Sequence, residues 1–265
     1  MKKLTYITCL GAFLSLLSPD SPAQTENQKI NGYKGIWFTL GQFSDYGDKY
    51  SGGLGTYTAK HIPLAIYAPE VEKTFFVYGG TTSPLDNYLL CMAGVFDHKT
   101  GKVSKPTIVY DKRGVEDPHD NPSLAMDDKG FLWVFVSGRG KVRPGFKYRS
   151  KQPYSIEGFD LITEEEMTYP QPKFVPGKGF LHLFTKYTGV RELYFETSAD
   201  GANWTEDKKL VGMKRPEDKN SGHYQISGQF GEKICFFFNW HPDGNVDLRT
   251  NIYYLQTTDF GQPWK

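Results

Sequence analysis

Apolar and polar residues alternate along this 265-residue chain in short runs, a pattern that favours β-strands over helices. One such run, a turn and a second, aromatic-rich run form a pair that recurs four times. The pairs cover residues 61–67 with 73–79, 121–127 with 130–136, 169–175 with 179–184, and 224–230 with 233–238. Successive copies start about 60, 48 and 55 residues apart, which is long enough for one four-stranded sheet each. The pattern therefore predicts an all-β chain folded as a β-propeller of four-stranded blades, with about four to five blades present.

Two hairpin motifs near the C-terminal end support the same repeat. The segment 257–264 fits the Asp-box pattern Ser/Thr-x-Asp-x-Gly-x-x-Trp, and 198–204 is a version shortened by one residue. We expect each Asp-Gly pair to form a tight hairpin and each Trp to pack between neighbouring blades. The chain stops one residue after the second motif, so the last blade is expected to lack its outer strand. With a further strand at 34–40, the propeller is predicted to be incomplete and truncated at its C-terminus.

The N-terminal segment reads as a signal peptide. Lys2 and Lys3 precede an apolar run over 4–17, and small residues around Ala23 suit a signal peptidase. The run is shorter than the ~20 residues that a membrane span needs. We therefore predict a secreted or periplasmic protein without a membrane span in the mature chain, with residues 1–23 removed and residues 24–265 forming the propeller domain.

Composition narrows the class of ligand. The chain has 31 Lys and Arg against 30 Asp and Glu, so it lacks the broad basic field that nucleic-acid binding requires. We expect a monomer that binds no nucleic acid. No cofactor is indicated, and Asp45 and Asp48 either bind a divalent metal or simply solvate their Gly-rich loop. Cys91 and Cys235 each lie in an apolar run, and two separate buried thiols are the simpler interpretation, with a disulfide left open.

Candidate functional residues recur at one position of the repeat. The first strand of each propeller blade lines the central channel, so residues at the start of these strands meet at one channel mouth. The positions next to the four strand starts hold Lys60 and His61, His119 and Asp120, Tyr169, and His223 and Tyr224. Three cations at or near strand ends add to them, namely Arg139, Lys186 and Arg191. A cluster of imidazoles, phenols and guanidinium groups at one mouth favours a site for an acidic ligand.

The chain resembles the BNR-repeat, or Asp-box, propeller family that includes the ulvan lyases. The resemblance covers nearly all of residues 32–265 and is carried by the Asp boxes together with the segments 35–39, 119–123 and 169–171. It implies a seven-bladed parent fold, of which this chain holds only a part. It also implies cleavage of a polysaccharide next to a uronic acid by β-elimination.

The resemblance also implies site residues. The family uses a His in the turn before a first strand, a second His about twenty residues on, a Tyr and then an Arg. By motif and spacing these positions are His119, Arg139, Tyr169 and Lys186. The first and third match, whereas Arg139 stands in place of the second His and Lys186 in place of the Arg.

The required chemistry shows which functions these replacements affect, and the loss of the second His leaves a shifted substrate or reaction open. Elimination removes the C5 proton of a uronate while the C4 oxygen leaves, so it needs a base, an acid and a cation at the carboxylate. Tyr169 is the predicted base and then acid, with His119 sharing the work. Arg139, Lys186 or Arg191 would hold the carboxylate, and the predicted substrate-binding residues further include His61, His223 and Tyr224. The predicted partner is an acidic polysaccharide or oligosaccharide.

Three other functions fit parts of the pattern. An oligosaccharide dehydratase would perform the same elimination with water leaving from a non-reducing-end uronate. A non-catalytic carbohydrate-binding propeller would use the many aromatic residues to stack on sugar rings. A sialidase-like glycosidase shares the Asp boxes, but its Arg-Ile-Pro motif is here His61-Ile62-Pro63.

Overall fold

The computed structural model describes residues 60–81, 89–187 and 190–265, whose strands form four antiparallel sheets in chain order. The first contains β1 (Ala65–Ala68), β2 (Lys73–Gly80), β3 (Leu90–Asp97), β4 (Lys102–Val103) and β5 (Thr107–Asp111), with β4 and β5 both pairing with β3. The second contains β6 (Pro122–Met126), β7 (Leu132–Val136), β8 (Gly145–Ser150) and β9 (Phe159–Glu165). The third contains β10 (Thr168–Val175), β11 (Gly179–Lys186), β12 (Glu192–Ser198) and β13 (Lys208–Val211). The fourth contains β14 (Gln225–Phe230), β15 (Lys233–Trp240) and β16 (Thr250–Thr257).

These sheets confirm the predicted all-β propeller. Each predicted pair of runs is the first two strands of one sheet, and the predicted limits differ from the observed ones by a few residues. Short 3₁₀ turns cover Pro118–Asp120 and Pro242–Gly244, and the described residues hold no α-helix. In that part of the chain no helix is long and apolar enough to cross a membrane.

The first strands of the four sheets lie next to one another, as they do around a propeller axis. β6 contacts β1 and β10, and β10 contacts β14. Side chains tie these strands together: the Ser123 hydroxyl donates to the Pro170 carbonyl over 2.9 Å, and the Ser227 hydroxyl donates to Gln171 over 2.7 Å. Because the first strands share one axis, the residues that precede them are brought to the same end of the molecule.

Hydrophobic cores fill the spaces between neighbouring sheets. Phe75 and Val77 of the first sheet pack with Leu132 and Val134 of the second, and equivalent clusters lie between the later sheets. Trp204 packs on Phe135 and Phe180, which belong to the second and third sheets. Trp264 packs on Phe195 and Phe236, which belong to the third and fourth. Both Trp side chains therefore lie between neighbouring blades.

The hairpin that precedes Trp204 has the tight geometry expected of an Asp-Gly turn. Asp200 accepts the backbone N–H groups of Ala202 and Asn203 over 2.9 and 2.7 Å. Gly201 has φ of +76°, and a Cβ added there would overlap the Trp133 indole. Only glycine fits this position, since it alone combines that backbone angle with the space left by the ring.

Several predicted features lie outside the described residues, whereas the state of the two cysteines is observed. The signal peptide, the strand at 34–40, and Asp45 and Asp48 lie outside them. Cys91 on β3 and Cys235 on β15 are both free thiols. No cluster of metal-binding side chains occurs within the described ranges.

Candidate functional site

Tyr169 occupies the centre of the candidate site and has an unusual backbone. It lies on β10 where the pairing with β11 shifts register between Thr168 and Gln171. Its φ is +56°, in the left-handed region that a residue with a Cβ rarely adopts. Such conformations cost about 1–3 kcal/mol and concentrate at functional sites. The positive φ at a register shift thus marks Tyr169 as a candidate functional residue.

Four aromatic rings surround the Tyr169 ring. Its centroid lies 5.7 Å from His61, 5.5 Å from His119, 5.9 Å from Tyr187 and 5.7 Å from Tyr224. The Tyr169 and Tyr187 hydroxyls are 2.8 Å apart and share a hydrogen bond. His61, His119 and Tyr224 precede the first strands of three different sheets, so the repeat brings together the residues predicted from it.

Asp117 holds His119 in place. His119 lies on the 3₁₀ turn before β6, and its Nδ1 is 2.5 Å from a carboxylate oxygen of Asp117. Because a carboxylate only accepts hydrogen bonds, Nδ1 carries the proton and Nε2 carries the lone pair. Burial lowers the pKa of His119, an effect that Asp117 opposes and Arg139 reinforces. The imidazole is therefore neutral at neutral pH.

The same carboxylate binds two arginines. Arg139 and Arg143 donate to Asp117 over 2.9 and 2.6 Å, and Arg143 also donates to Asp120 over 2.9 Å. Lys112 pairs with Asp120 over 2.9 Å beneath them. Hydrogen bonds to His119 and Arg143 keep the pKa of Asp117 below its usual range even though burial opposes them. Among the described residues, three cations face two carboxylates here, which leaves one positive charge in excess.

A second group of cations surrounds Tyr224. The charged groups of Lys60, Arg191 and Arg249 lie 4.8, 5.5 and 5.4 Å from the centroid of its ring. Burial, together with the nearby Arg249 charge, lowers the pKa of Lys60 to about 8. His241 packs edge-on to the same ring, and burial followed by the charges of Arg191 and Arg249 lowers its pKa to about 4.

Two predicted substrate-binding residues, Lys186 and His223, do not contact the Tyr169 ring in the described structure. Lys186 pairs with Asp207 and lies 5.0 Å from the centroid of the Tyr194 ring, and none of its described contacts is with the Tyr169 cluster. The His223 ring accepts the Met213 N–H over 3.0 Å and donates to the Asn239 carbonyl over 3.0 Å. Both of its nitrogens therefore serve the local backbone.

Sequence reasoning overlooked several members of the site. They are Asp117, Tyr187, Arg143, His241 and Arg249. The Asp-x-His spacing of Asp117 and His119 was a usable signal, because a carboxylate two residues before an imidazole often orients it. Arg249 and His241 lie in the irregular connection between β15 and β16, where no periodicity marks a residue.

Comparisons with known proteins identify the fold. No protein-family model matches the sequence. An ulvan lyase of Nonlabens ulvanivorans is 21% identical over 178 residues, covering 56% of this chain and 38% of that protein. An ulvan lyase of polysaccharide lyase family PL25 superposes with a TM-score of 0.64 at 18% identity, over 81% of this chain and 55% of its own. The same type of lyase bound to -[GlcA(1-4)Rha3S]- gives 0.63 at 17% identity, over 81% and 56%.

A more distant structure shares the same architecture. The α-L-arabinanase of Penicillium chrysogenum in complex with arabinobiose gives a TM-score of 0.52 at 10% identity, over 80% of this chain and 69% of its own. This chain spans only about half the length of the lyases that it matches, 38% of one and 55% of another. The chain has a β-propeller fold like that of ulvan lyases and arabinanases, with four sheets in its described part.

Proposed function

We propose that this protein is a polysaccharide lyase that cleaves an acidic, ulvan-like saccharide next to a uronic acid by β-elimination. One observation carries the proposal: His119 and Tyr169 meet with ring centroids 5.5 Å apart, beside the guanidinium group of Arg139. An imidazole, a phenol and a cation are the three groups that this reaction needs.

His119 is better suited to take the C5 proton than Tyr169, the base predicted from the sequence. Its neutral state at neutral pH leaves a lone pair on Nε2, and the bond from Nδ1 to Asp117 stabilises the imidazolium that forms when the proton arrives. Asp117 is thus a positioning residue, since it acts on the substrate only through His119 and Arg139.

Tyr169 is suited to protonate the leaving C4 oxygen. As the C5–H bond breaks, its electron pair forms the C4–C5 double bond and the C4–O bond breaks, so that the leaving oxygen takes the phenol proton. Tyr187 shares a hydrogen bond with the Tyr169 hydroxyl over 2.8 Å, and burial keeps the pKa of Tyr187 well above its usual value. Tyr187 therefore remains protonated and can stabilise the Tyr169 phenolate. Transfer of the proton from His119 to Tyr169 then restores both groups.

Arg139 is suited to neutralise the uronate carboxylate. Charge on that carboxylate must be offset before a carbanion-like centre forms at C5. Arg139 lies 5.2 Å from the centroid of the Tyr187 ring, next to the acid–base pair, and its cluster carries one positive charge in excess. Lys186, which is paired with Asp207, is poorly placed for the same task.

The relatives suggest the substrate class. Ulvan lyases share the fold, and one such structure holds a saccharide of glucuronic acid and 3-sulfated rhamnose. We infer a substrate of the same kind, a uronic-acid-containing and sulfated polysaccharide.

The test is the ultraviolet absorbance of an unsaturated uronate, measured on purified protein with ulvan oligosaccharides. We expect the absorbance to rise with the wild-type protein, and Tyr169→Phe to lower the rate by at least about 10²-fold because it removes the proton donor. Tyr67→Phe, at a 51% exposed tyrosine on β1, is the matched control and should keep the wild-type rate.

Other products would point to other functions. Loss of water without chain cleavage, seen by mass spectrometry, would identify a dehydratase. New reducing ends without the absorbance would identify a hydrolase. Binding without any product would identify a carbohydrate-binding propeller.

A further inference from the structure

Three cations from separate segments converge on the ring of Tyr224. Lys60 precedes β1, Arg191 precedes β12 and Arg249 precedes β16, and all three lie within 5.5 Å of the ring centroid. Like charges repel at this range, so the fold holds them together against their mutual repulsion. We call these three residues the Tyr224 cation cluster.

No carboxylate of the described residues forms an ion pair with this cluster. Arg191 donates to the Gly244 carbonyl, and Arg249 Nε donates to the Val246 carbonyl over 2.9 Å. The cations around His119 differ in this respect, because Asp117 and Asp120 bind them directly.

Burial is the main cause of two lowered pKa values here, and the nearby cations add to it. The pKa of Lys60 falls to about 8 because of burial and the charge of Arg249. The pKa of His241 falls to about 4, with Arg191 and Arg249 adding to the effect of burial. Both residues therefore lie in a positive potential that an anion would relieve.

A cavity beside Arg191 contains a buried serine hydroxyl that can donate a hydrogen bond to an anion. It has a volume of about 270 Å³ and is bordered by Tyr187, Arg191, Ser221 and Asp243. Ser221 is 3% exposed, and its hydroxyl has no partner among the described residues. Asp243 places a carboxylate in the same wall, but one of its oxygens accepts the backbone N–H groups at 219 and 220, which offsets part of its charge. The buried hydroxyl beside a cation is the arrangement that a bound oxyanion would satisfy.

We propose that the Tyr224 cation cluster is a subsite for an oxyanionic substituent, a sulfate ester or a carboxylate, on the sugar next to the reacting uronate. The Tyr224 ring lies 5.7 Å from the Tyr169 ring, so the cluster borders the reaction centre without including it. The inference rests on the proposed saccharide substrate and names a second group by which that substrate is held.

The test is calorimetric binding in a Tyr169→Phe background, which prevents turnover during the titration. The ligand is an oligosaccharide of glucuronic acid and 3-sulfated rhamnose, compared with its desulfated and its carboxyl-reduced forms. Lys60→Gln and Arg249→Gln are each expected to weaken binding of the unmodified ligand about tenfold, the usual effect of losing one charge-assisted contact. Lys151→Gln, which removes a 59% exposed lysine immediately after β8, is the control and should leave binding unchanged.

The modified ligands identify the bound group. If the variants bind the desulfated form as tightly as the parent does, the sulfate ester occupies the subsite. If the variants match the affinity of the parent only for the carboxyl-reduced form, the carboxylate occupies the subsite. Arg249→Lys should restore part of the affinity, and unchanged thermal unfolding of the variants shows that they fold.

Two results would overturn the proposal in distinguishable ways. Parent-like binding of the unmodified ligand by both Lys60→Gln and Arg249→Gln would eliminate the subsite and leave the proposed function intact. Absence of binding of all three ligands by the parent would eliminate the subsite and the proposed function together.

Discussion

Replacing Asp117 with asparagine is the perturbation that bears most directly on the site's electrostatics. The change keeps the shape of the side chain and removes its charge. It also replaces one acceptor oxygen with a donor. In the wild-type protein the carboxylate meets His119 at 2.5 Å, Arg139 at 2.9 Å and Arg143 at 2.6 Å. An amide can satisfy only part of this set.

The expected loss of stability follows from burial. Removing one partner of a buried ion pair costs about 3–5 kcal/mol. The Arg139 and Arg143 side chains are 26% and 33% exposed, so water takes over part of their interaction. We therefore expect Asp117→Asn to lower the free energy of unfolding by about 2–3 kcal/mol.

The loss should depend on pH with a definite sign. The folded-state pKa of Asp117 is depressed, so its carboxylate stabilises the fold fully above the unfolded-state value of about 4. Below that value the stabilisation declines as the carboxyl group is protonated. The difference between wild type and Asp117→Asn should be constant near neutral pH and should shrink below about pH 4.

Asp117→Asn should also lower the catalytic rate strongly. Without the carboxylate, His119 loses the acceptor that fixes its Nδ1 proton, and the imidazolium loses its counter-charge. By analogy with carboxylates that orient a catalytic histidine, kcat should fall on the order of 10²–10⁴-fold. Ultraviolet absorbance at saturating substrate measures this fall, and urea unfolding at several pH values measures the stability.

A matched control separates the site from the general effect of removing a carboxylate. Asp160→Asn removes a 62% exposed carboxylate from the edge of the second sheet, and we expect it to change neither quantity. Wild-type kcat in Asp117→Asn, with stability also unchanged, would refute the assigned role of Asp117 and the tautomer inferred for His119.

Two further perturbations test the packing and the phenol pair. Gly201→Ala should lower the free energy of unfolding by about 2–3 kcal/mol, because its Cβ would overlap Trp133. The control Gly177→Ala, at φ of +75° with open space around it, should lower it by only about 1 kcal/mol. Thermal or urea unfolding measures both. Equal losses in the two variants would contradict the blade packing. Tyr187→Phe should lower kcat about tenfold and leave KM unchanged, because it removes the hydrogen bond to Tyr169; a raised KM at constant kcat would contradict that role.

The sequence pattern predicted the inner half of each sheet well. The second strands of the second and third sheets, β7 and β11, are buried almost throughout, so they are largely apolar runs such as Leu132–Val136, where every side chain is buried. Outer strands such as Lys102–Val103 and Lys208–Val211 are short, and half of their residues are lysines. Their burial depends on contacts across the sheet, which no local pattern records.

The sequence predicted those site residues whose place in the chain repeat puts them at the channel mouth. It did not predict which side chains point into the site. Successive residues of an extended chain point to opposite sides, so one of two neighbours can reach the Tyr169 ring and its partners while the other turns away. Tyr224 reaches it and His223 turns to the backbone. In the same way Tyr187 reaches it and Lys186 turns to Asp207.

The most direct test of the account is the appearance of a C4–C5 unsaturated uronate when the purified protein is mixed with ulvan oligosaccharides. We expect rising ultraviolet absorbance together with new chain ends, and loss of both in Tyr169→Phe. Cleavage without that absorbance, or equal absorbance from wild type and Tyr169→Phe, would contradict it.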